Sequence, residues 1–521
     1  MTRLDRFLIL GSDKPTYYAS ARKMTVDNAN AILDMLSRNP LEVINRVVEI
    51  STAGRAPNND PALFVLAMAM SSDSLETKNA ARAALPKVAR IGTDLFHFAE
   101  FVEGFRGWGR GLRGTIADWY ESKSIESLAL QLVKYQSRDG WSHRDLLKLC
   151  HSKMNGDNMA RHAAIRWAIG GMDEVSSTVR RKKTKSGYVD VERQDLTDYL
   201  PDLIEGFEKA KRASSAKEIV QLIRKYDLPR EAIPTEFLND VSVWEVLLYN
   251  GSENKNTVMP MGAMIRNLAK MTSIGLLGPL SEASKVVCEK LTDAGSIKSS
   301  RIHPIKILDA LKVYGSGRGV RGSLTWNPVS RIVDALDEAF YMAFDNVEPT
   351  GKSHLLAVDV SGSMSWGNCV GSNVLTPREA SAAMALLTAK TERDYHIMGF
   401  SHKLVDVPIT PKMRLDQAVR TLERIPMGGT DCSLPMIHAC QAKMSVDVFC
   451  VYTDNETWAG RVHPTEALSR YRKEHNESAK MAVFGMTATE FSIADPSDAG
   501  SMDFVGFDTN APVILADFVR N

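Results

Sequence analysis

Apolar residues recur at helical spacing through the first 350 residues of this 521-residue chain. The spacing predicts helices separated by short Gly, Pro, Asn or Ser breaks, and strand-like alternation is nearly absent there. The predicted helices span residues 26–38, 41–51, 75–88, 109–122, 125–136 and 143–153. Consecutive helices of this length indicate pairs stacked as in HEAT-type solenoids, although no fixed sequence period marks the repeats.

The pattern changes at Gly351, where short apolar runs begin to alternate with helices. Strands are predicted at 355–360, 395–401, 446–453 and 480–486, and helices at 378–392, 415–425, 434–443 and 465–475. This alternation indicates a parallel sheet with helices on both faces, a doubly wound α/β fold. The sequence therefore predicts a multidomain chain, with an all-α HEAT-like repeat domain over residues 1–352 and an α/β domain over residues 353–521.

Three segments of the α/β part end in oxygen-bearing side chains. They are Asp359-Val-Ser-Gly-Ser363, Met427-Gly-Gly-Thr430-Asp431 and Val448-Phe-Cys-Val-Tyr-Thr-Asp454. Ligands of such sheets bind beyond the carboxyl ends of the strands, so these groups are expected to converge. Carboxylate and hydroxyl oxygens suit a hard cation such as Mg²⁺. For the first motif alone, an N-cap followed by a turn is the alternative interpretation.

Together the three segments resemble the metal-ion-dependent adhesion site of von Willebrand factor A-type domains. The resemblance implies that Ser361, Ser363 and Thr430 ligate the metal, with Asp359 and Asp454 acting directly or through water. Because all five positions are filled, a divalent cation, Mg²⁺, is the expected cofactor.

Composition and charge narrow the class of protein. Hydrophobic residues make up 44% and charged residues 24%, as in soluble globular proteins, and no apolar stretch approaches the roughly 20 residues of a membrane span. The six cysteines show no zinc spacing, and residues 1–6 are not the start of a signal peptide, so a reducing, cytoplasmic setting is expected.

Residues 1–352 carry 49 basic and 43 acidic side chains, whereas residues 353–521 carry 15 basic and 20 acidic side chains. A polyanionic partner is therefore expected on the helical part.

Basic and aromatic residues cluster in that part. Arg110 and Arg113 lie in a glycine-rich stretch beside Trp108, and Trp119 and Tyr120 follow. Cationic side chains bind phosphates and aromatic side chains stack on unpaired bases, so the segment favours nucleic-acid binding. A solvated helix face is the alternative.

Two neighbouring predicted helices also carry cationic residues. Lys134 and Arg138 are four residues apart and would share a helix face, and Arg144, Lys148 and His151 follow at helical spacing. Either stripe alone is most simply a solvated face, and His151 alone a packing histidine. Together, with aromatic residues between them, they favour an RNA-binding surface.

Two further basic segments are ambiguous. The run at 180–185 is predicted to be a solvated loop, with non-specific RNA contact as the alternative. The glycine-rich stretch 315–322 lacks the Gly-Lys-Ser/Thr ending of a phosphate-binding loop, so it predicts an interhelical turn or a loop that touches RNA.

Motifs of common hydrolases are absent from the sequence. There is no Gly-x-Ser-x-Gly or His-Glu-x-x-His, and Ser361 stands where an aspartyl phosphatase has its second Asp. The chain is therefore predicted not to be an enzyme.

Longer segments carry a family resemblance. They include Ile116-Ala-Asp-Trp-Tyr120, Gly140-Trp-Ser-His-Arg-Asp-Leu-Leu147, Glu348-Pro-Thr-Gly-Lys352, Gly428-Gly-Thr-Asp-Cys-Ser-Leu-Pro-Met436 and Thr453-Asp-Asn-Glu-Thr457. With segments of this kind over nearly its whole length, the chain resembles the Ro autoantigen family, whose members join a TROVE module to a von Willebrand factor A-type domain.

The resemblance implies a ring of HEAT-like repeats whose hole takes the 3′ single-stranded ends of misfolded non-coding RNAs. Y RNAs would bind the outer surface at positions matching Lys134, Arg138 and His151. The implied function is RNA quality control in Ro ribonucleoprotein particles, by a cytoplasmic monomer with a nuclear fraction in a eukaryote. An exoribonuclease or another protein is the expected ligand of the A-type domain. The alternatives are a metal-dependent protein-interaction scaffold and a metal-dependent phosphohydrolase.

Overall fold

The computed structural model describes residues 2–12, 14–19, 29–105, 107–150, 158–184 (backbone only at 182–184), 187–251, 258–400, 403–426, 431–454, 461–488, 490, 493–495 and 497–521. The helices are α1 Arg3–Leu10, α2 Asn30–Arg38, α3 Pro40–Thr52, α4 Asp60–Ser71, α5 Leu75–Val88, α6 Gly92–Phe105, α7 Arg110–Glu121, α8 Ile125–Lys134, α9 His143–Cys150, α10 Met159–Ser176, α11 Asp202–Ala210, α12 Ala216–Tyr226, α13 Val241–Leu248, α14 Met261–Ser273, α15 Glu282–Leu291, α16 Ala294–Ser300, α17 Pro304–Gly315, α18 Ser330–Met342, α19 Pro377–Thr391, α20 Leu415–Glu423, α21 Leu434–Ala442, α22 Pro464–Glu474 and α23 Ala511–Arg520. The strands are β1 Thr16–Tyr18, β2 Ser137–Arg138, β3 Trp141–Ser142, β4 Val179–Thr184, β5 Gly187–Glu192, β6 His354–Asp359, β7 Tyr395–Phe400, β8 Leu404–Asp406, β9 Val448–Thr453, β10 Lys480–Gly485 and β11 Ser501–Val505.

The chain forms two compact units. The sheet unit comprises Met1–Ala29, Arg55–Pro57 and Pro260–Asn521, and the helical unit comprises Asn30–Gly54 and Asn58–Met259. Helices α14 to α18 therefore group with the sheet. The domain limits at 1–352 and 353–521 stay a prediction from the sequence pattern.

Successive helices stack within the helical unit. α4 packs against α3, α5 and α6, and α7 packs against α5 and α9. The helices predicted at 41–51, 75–88 and 125–136 are confirmed within two residues. The sequence pattern misses α4, because Pro61 to Met70 are buried on every face and show no polar side of the helix. Ser74 and Ser124 start α5 and α8 as N-caps, each accepting a backbone N–H at 3.2 Å.

A seven-stranded sheet forms the core of the sheet unit. Its order is β1-β11-β10-β9-β6-β7-β8, with every pair parallel except β7 and β8. Every residue of β6 and β9 is buried, as strands covered on both faces require. The four predicted strands are confirmed within two residues. The pattern does not reveal β1, β8 or β11, which are only three to five residues long.

Candidate metal centre and nucleic-acid interface

Two carboxylates lie at one edge of the parallel sheet. Asp359 is the last residue of β6, and Asp454 directly follows β9. The two strands are parallel neighbours, with Val358 opposite Tyr452, so both acidic residues leave the sheet at the same edge. This edge is formed by the carboxyl ends of the strands, where α/β folds bind ligands.

The turn after β6 brings two hydroxyl groups together. Ser361 Oγ and Ser363 Oγ are 3.0 Å apart. Adjacent ligands of an octahedral Mg²⁺, each about 2.05 Å from the ion, are about 2.9 Å apart. The two hydroxyls are hydrogen-bonded to each other, at a separation that also fits adjacent ligands of one octahedral cation. Thr430, the third predicted ligand, lies outside the described residues.

Asp359 is buried and its carboxylate is held by hydrogen bonds. Oδ1 accepts the Ser361 N–H at 2.8 Å, and Oδ2 accepts the Thr453 hydroxyl at 3.0 Å. These bonds fix the direction of the carboxylate and the start of the serine turn. Carboxylate oxygens are ligands of hard cations, so Asp359 has the chemistry to bind a cation or one of its water ligands. The donor set is all oxygen and fits a hard divalent cation.

Arg378, near the start of α19, supports the same turn. Its guanidinium donates to Ser361 O at 2.7 Å and to Ser365 Oγ at 2.8 Å. Burial lowers the pKa of Arg378, while the charges of Glu423 and Asp359 act in the opposite direction. The sequence pattern gives no sign of this role, because it depends on how α19 packs against a turn that ends more than ten residues earlier.

The segment between α8 and α9 is a β-hairpin. α8 ends at Lys134, and Arg138 of β2 lies opposite Trp141 of β3. Asp139 and Gly140 have φ angles of +50° and +83°, the backbone of a type I′ turn, for which Asp-Gly is a preferred sequence. The expectation that Lys134 and Arg138 share a helix face is therefore wrong.

The next two cations do share a face. Arg144 and Lys148 are both exposed on α9 and four residues apart, as predicted. Neither has a carboxylate partner among the described residues, so both charges are available to an anion. His151 lies outside the described residues.

Lys134, at the end of α8, and Arg138, in the hairpin, are both in weak local contacts. Lys134 is half-buried, with Nζ 5.7 Å from the centre of the Tyr135 ring. Arg138 is exposed, and its Nε lies 3.6 Å from Asp139 Oδ2. An exposed ion pair at this distance contributes little to stability, so Arg138 could exchange this partner for a phosphate.

The glycine-rich stretch places two more cations near the hairpin. Arg110 and Arg113 lie in the first turn of α7, the former exposed and the latter half-buried. Arg113 Nε is buried and has no hydrogen-bond partner among the described residues. Trp108 packs against Trp141 with ring centroids 5.3 Å apart, which joins the start of α7 to β3.

Trp119 and Tyr120 are fully buried, so the expectation that they stack on bases is wrong. Trp119 Nε1 donates to Ala89 O at 2.6 Å, and the Tyr120 hydroxyl lies 2.7 Å from His143 Nδ1. Burial lowers the pKa of His143 to about 4, so this ring is neutral near pH 7. His143 Nε2 then donates to Gln131 O at 3.2 Å, and Nδ1 accepts from Tyr120. Both aromatic residues belong to the core of the helical unit.

The basic run at 180–185 is largely a strand. β4 pairs with β5, whose residues are all exposed, in an antiparallel ribbon, and Arg181 lies 5.2 Å from the Tyr188 ring. The expectation of a loop is therefore wrong for 180–184, and residue 185 lies outside the described residues. In the glycine-rich stretch 315–322, Gly315 ends α17 and residues 316–322 lie in the connection to α18, which is the interhelical position predicted, whereas contact with RNA stays a prediction.

Comparison with known proteins decides the family. A family model described as the TROVE domain matches residues 1–312, and one described as the Ro60 vWA domain matches residues 353–519. The chain belongs to the Ro60 family. A Deinococcus radiodurans protein named RNA-binding protein RO60 is 41% identical, over 100% of this chain and 92% of its own length. A Caenorhabditis elegans protein of the same name is 37% identical, over 99% of this chain and 87% of its own length.

A solved Ro protein has the same architecture. The crystal structure of the Deinococcus radiodurans RO (RSR) protein matches with a TM-score of 0.87 at 40% identity, covering 100% of this chain and 99% of that one. The family resemblance and the fold class, a helical-repeat part followed by an α/β A-type domain, are therefore confirmed. Among the described residues of this Ro60-family chain, no helix is long and apolar enough to span a membrane.

Proposed function

We propose that this Ro60-family protein is an RNA-binding protein of Ro ribonucleoprotein particles, a cytoplasmic monomer without catalytic activity. It binds Y RNAs on its outer surface and takes the 3′ single-stranded ends of misfolded non-coding RNAs into a central cavity, for RNA quality control. The names of the two full-length relatives support RNA as the partner. The observation that carries the proposal is the exposed pair Arg144 and Lys148, which has no carboxylate partner among the described residues.

The proposed Y RNA surface is built around the hairpin and the helices beside it. Phosphate contacts release counterions, so most of the affinity should come from the cations and should fall as salt rises. Its basic side chains are Lys134, Arg138, Arg144, Lys148, His151, Arg110 and Arg113.

The salt dependence of binding tests this surface. Substituting Arg144 and Lys148 together by Ala should weaken Y-type RNA binding and flatten the slope of log affinity against log salt by roughly 0.7 to 0.9 per lost phosphate contact. Lys285→Ala is the matched control, because Lys285 is exposed on α15 but pairs with Glu289 at 3.9 Å. An unchanged slope in the double variant would remove these residues from the interface.

We further propose a Mg²⁺ site at the edge of the sheet. Ser361, Ser363 and Thr430 would supply hydroxyl ligands, with Asp359 and Asp454 acting directly or through water. The 3.0 Å separation of the two serine hydroxyls supports this assignment. A bound cation would supply a positive charge to which an acidic group can bind.

Trp366 gives a direct assay for the cation. It is 75% exposed and three residues beyond Ser363, so it can sensitise terbium luminescence at the site. Asp359→Asn should abolish the signal and its displacement by Mg²⁺, whereas Asp406→Asn, an exposed change in β8, should keep both. A full signal from the Asp359 variant would show that the cation binds elsewhere.

The same exposed indole favours a second role, the capture of a protein ligand such as an exoribonuclease through the cation. Aromatic side chains at interface centres often carry much of the binding energy. A partner recovered in Mg²⁺ should then be lost both with a chelator and on Trp366→Ala. Recovery that neither treatment changes would argue against this role.

A further inference from the structure

A thiol, a carboxylate and an imidazole meet where two helices of the sheet unit end. Cys440 lies in the last turn of α21, Glu474 is the last residue of α22, and His475 follows it. One ligand atom from each of these side chains lies within 4.8 Å of the other two. α21 and α22 pack against each other, so tertiary packing brings the set together.

Two of the three side chains make no hydrogen bond. Among the described residues, neither the Cys440 thiol nor the His475 ring has a hydrogen-bond partner, and Cys440 is a free, half-buried cysteine. Glu474 Oε1 accepts from Arg470 Nε at 2.9 Å, in an ion pair whose side chains are 46% and 70% exposed. An exposed pair of this kind contributes little to stability, so a metal ion can replace Arg470 as the partner of Glu474.

An aromatic neighbour restricts the imidazole. The His475 ring lies against the Tyr471 ring, with centroids 5.3 Å apart and an interplanar angle of 32°. Tyr471 is fully buried, and its hydroxyl donates to Met444 O and accepts the Val446 N–H, both at 2.7 Å. The tyrosine is thus fixed and limits the positions of the histidine ring, which lowers the entropy lost when that ring binds a ligand.

The set lies at the carboxyl ends of two helices. Peptide dipoles give such an end a partial negative charge, which favours a cation near the last turn. The short connections 443–447 and 475–479 lead from α21 and α22 to the starts of β9 and β10. The set is therefore at the edge of the sheet opposite to Asp359 and Asp454, which lie at the carboxyl ends of their strands.

We propose that Cys440, Glu474 and His475 bind one Zn²⁺ ion, with a water molecule as the fourth ligand. Neighbouring ligand atoms of a tetrahedral Zn²⁺ are about 3.4–3.6 Å apart, so the present separations must shrink by at most about 1.4 Å. Rotation of the exposed side chains of Glu474 and His475 supplies this movement. The thiol releases its proton to solvent when it binds the metal. Sulfur and nitrogen ligands suit Zn²⁺ and not Mg²⁺, so this site is distinct from the proposed Mg²⁺ site.

Cobalt tests the site in the full chain, because a thiolate ligand gives Co²⁺ a near-ultraviolet charge-transfer band that oxygen ligands do not give. Excess Mg²⁺ keeps Co²⁺ from the oxygen ligands at the other edge of the sheet. The band should saturate at one equivalent of Co²⁺ and disappear when Zn²⁺ is added. Cys440→Ser should remove it, whereas Cys288→Ser, at another half-buried free cysteine, should keep it.

Competition with a chromophoric chelator measures the other two ligands. Glu474→Gln and His475→Ala should each weaken Zn²⁺ binding roughly tenfold or more, since each removes one of three protein ligands. Glu477→Gln is the matched control, because Glu477 is exposed in the same connection but outside the set. Zn²⁺ should also raise the melting temperature of the wild type but not of Cys440→Ser.

Two results would overturn the proposal. A charge-transfer band that survives Cys440→Ser would place the metal on another thiol. Zn²⁺ affinity that is unchanged in Glu474→Gln and His475→Ala would reduce the site to a single thiolate.

Discussion

At the scale of single residues, Arg378 decides whether the serine turn keeps its shape. It donates to Ser361 O and to Ser365 Oγ, and thereby fixes the backbone that presents the Ser361 and Ser363 hydroxyls. A guanidinium holds two acceptors in a rigid fork, which the single ammonium group of a lysine does not reproduce. Arg378 should therefore influence the cation without contacting it.

Replacing Arg378 by Lys should weaken Mg²⁺ binding by roughly 10- to 100-fold, the usual effect of losing a group that orients a metal ligand. It should also lower the free energy of unfolding by about 1–3 kcal/mol, since partly buried hydrogen bonds from a charged donor are lost. Calorimetric titration and chemical denaturation measure the two effects. Arg420→Lys on α20 is the control, because that side chain is 67% exposed. Equal Mg²⁺ affinity in both variants would contradict the role given to Arg378.

Local spacing explains why part of this site can be predicted. Asp359, Ser361 and Ser363 lie within five residues of one another, so one motif after a strand brings them together. Arg378 is near the turn only because α19 packs against it, and residue spacing does not contain that information. The role of Thr430 as a third hydroxyl ligand stays a prediction, because this residue lies outside the described residues.

At the scale of elements, His97 of α6 ties the hairpin to the helices behind it. Its Nδ1 lies 2.6 Å from Asp60 Oδ1, and its Nε2 lies 2.9 Å from Asp139 Oδ2 at the hairpin turn. The Nε2 contact is close but poorly aligned for a hydrogen bond, so it is mainly electrostatic. The hydrogen bond that His97 donates to Asp60 raises the pKa of His97, and the charges of Asp60 and Asp139 act in the same direction, whereas burial opposes them. The imidazole therefore links α4, α6 and the hairpin that carries Arg138, and its protonation strengthens the link to the two carboxylates.

RNA binding should weaken as pH rises through the raised pKa of His97. Below the ordinary histidine pKa of about 6.5, the ring is protonated in both the folded and the unfolded chain and the link is complete. Above the raised pKa, the charge that attracts Asp139 is lost and the hairpin is held less firmly. The expected loss of affinity is roughly two- to fivefold, because a partly exposed ion pair contributes up to about 1 kcal/mol.

Asp139→Asn provides the control for this pH dependence. Asparagine also tolerates a positive φ, so the turn is preserved while the charge is removed. RNA titrations at constant ionic strength should show a flatter pH profile for this variant than for the wild type. Parallel profiles would mean that His97 does not act through Asp139.

The hairpin also shows how an element can be missed although its signal is present. Asp139-Gly140 is a strong hairpin sequence, but the helical spacing of the preceding residues extends the predicted helix to 136. Only two residues pair on each side, too few for a visible alternation of apolar and polar positions. Arg144 and Lys148 were predictable because α9 is regular where they lie.

At the scale of the whole molecule, the first residues of the chain complete the sheet formed by the last. β1 pairs in parallel with β11, where Thr16 lies opposite Asp503. The Tyr17 hydroxyl donates to Asp508 Oδ2 at 2.9 Å, and Arg6 donates to Asp498 O at 2.9 Å. Hydrophobic periodicity is a local property, so no pattern read along the chain could reveal a pairing across nearly its full length. The A-type sheet therefore extends beyond residues 353–521.

Phe7→Ala tests whether the N-terminal segment stabilises that sheet. Phe7 is fully buried in α1 of the sheet unit, so its truncation should lower the free energy of unfolding by roughly 3–5 kcal/mol. Hydrogen exchange followed by mass spectrometry should show faster exchange in β11 and β10, with α8 and α9 of the helical unit little changed. Leu280→Ala, at a side chain 95% exposed in the same unit, should leave every segment as in the wild type. Unchanged exchange in β11 of the Phe7 variant would contradict this prediction. The pairing of β1 with β11 would then not depend on the packing of Phe7.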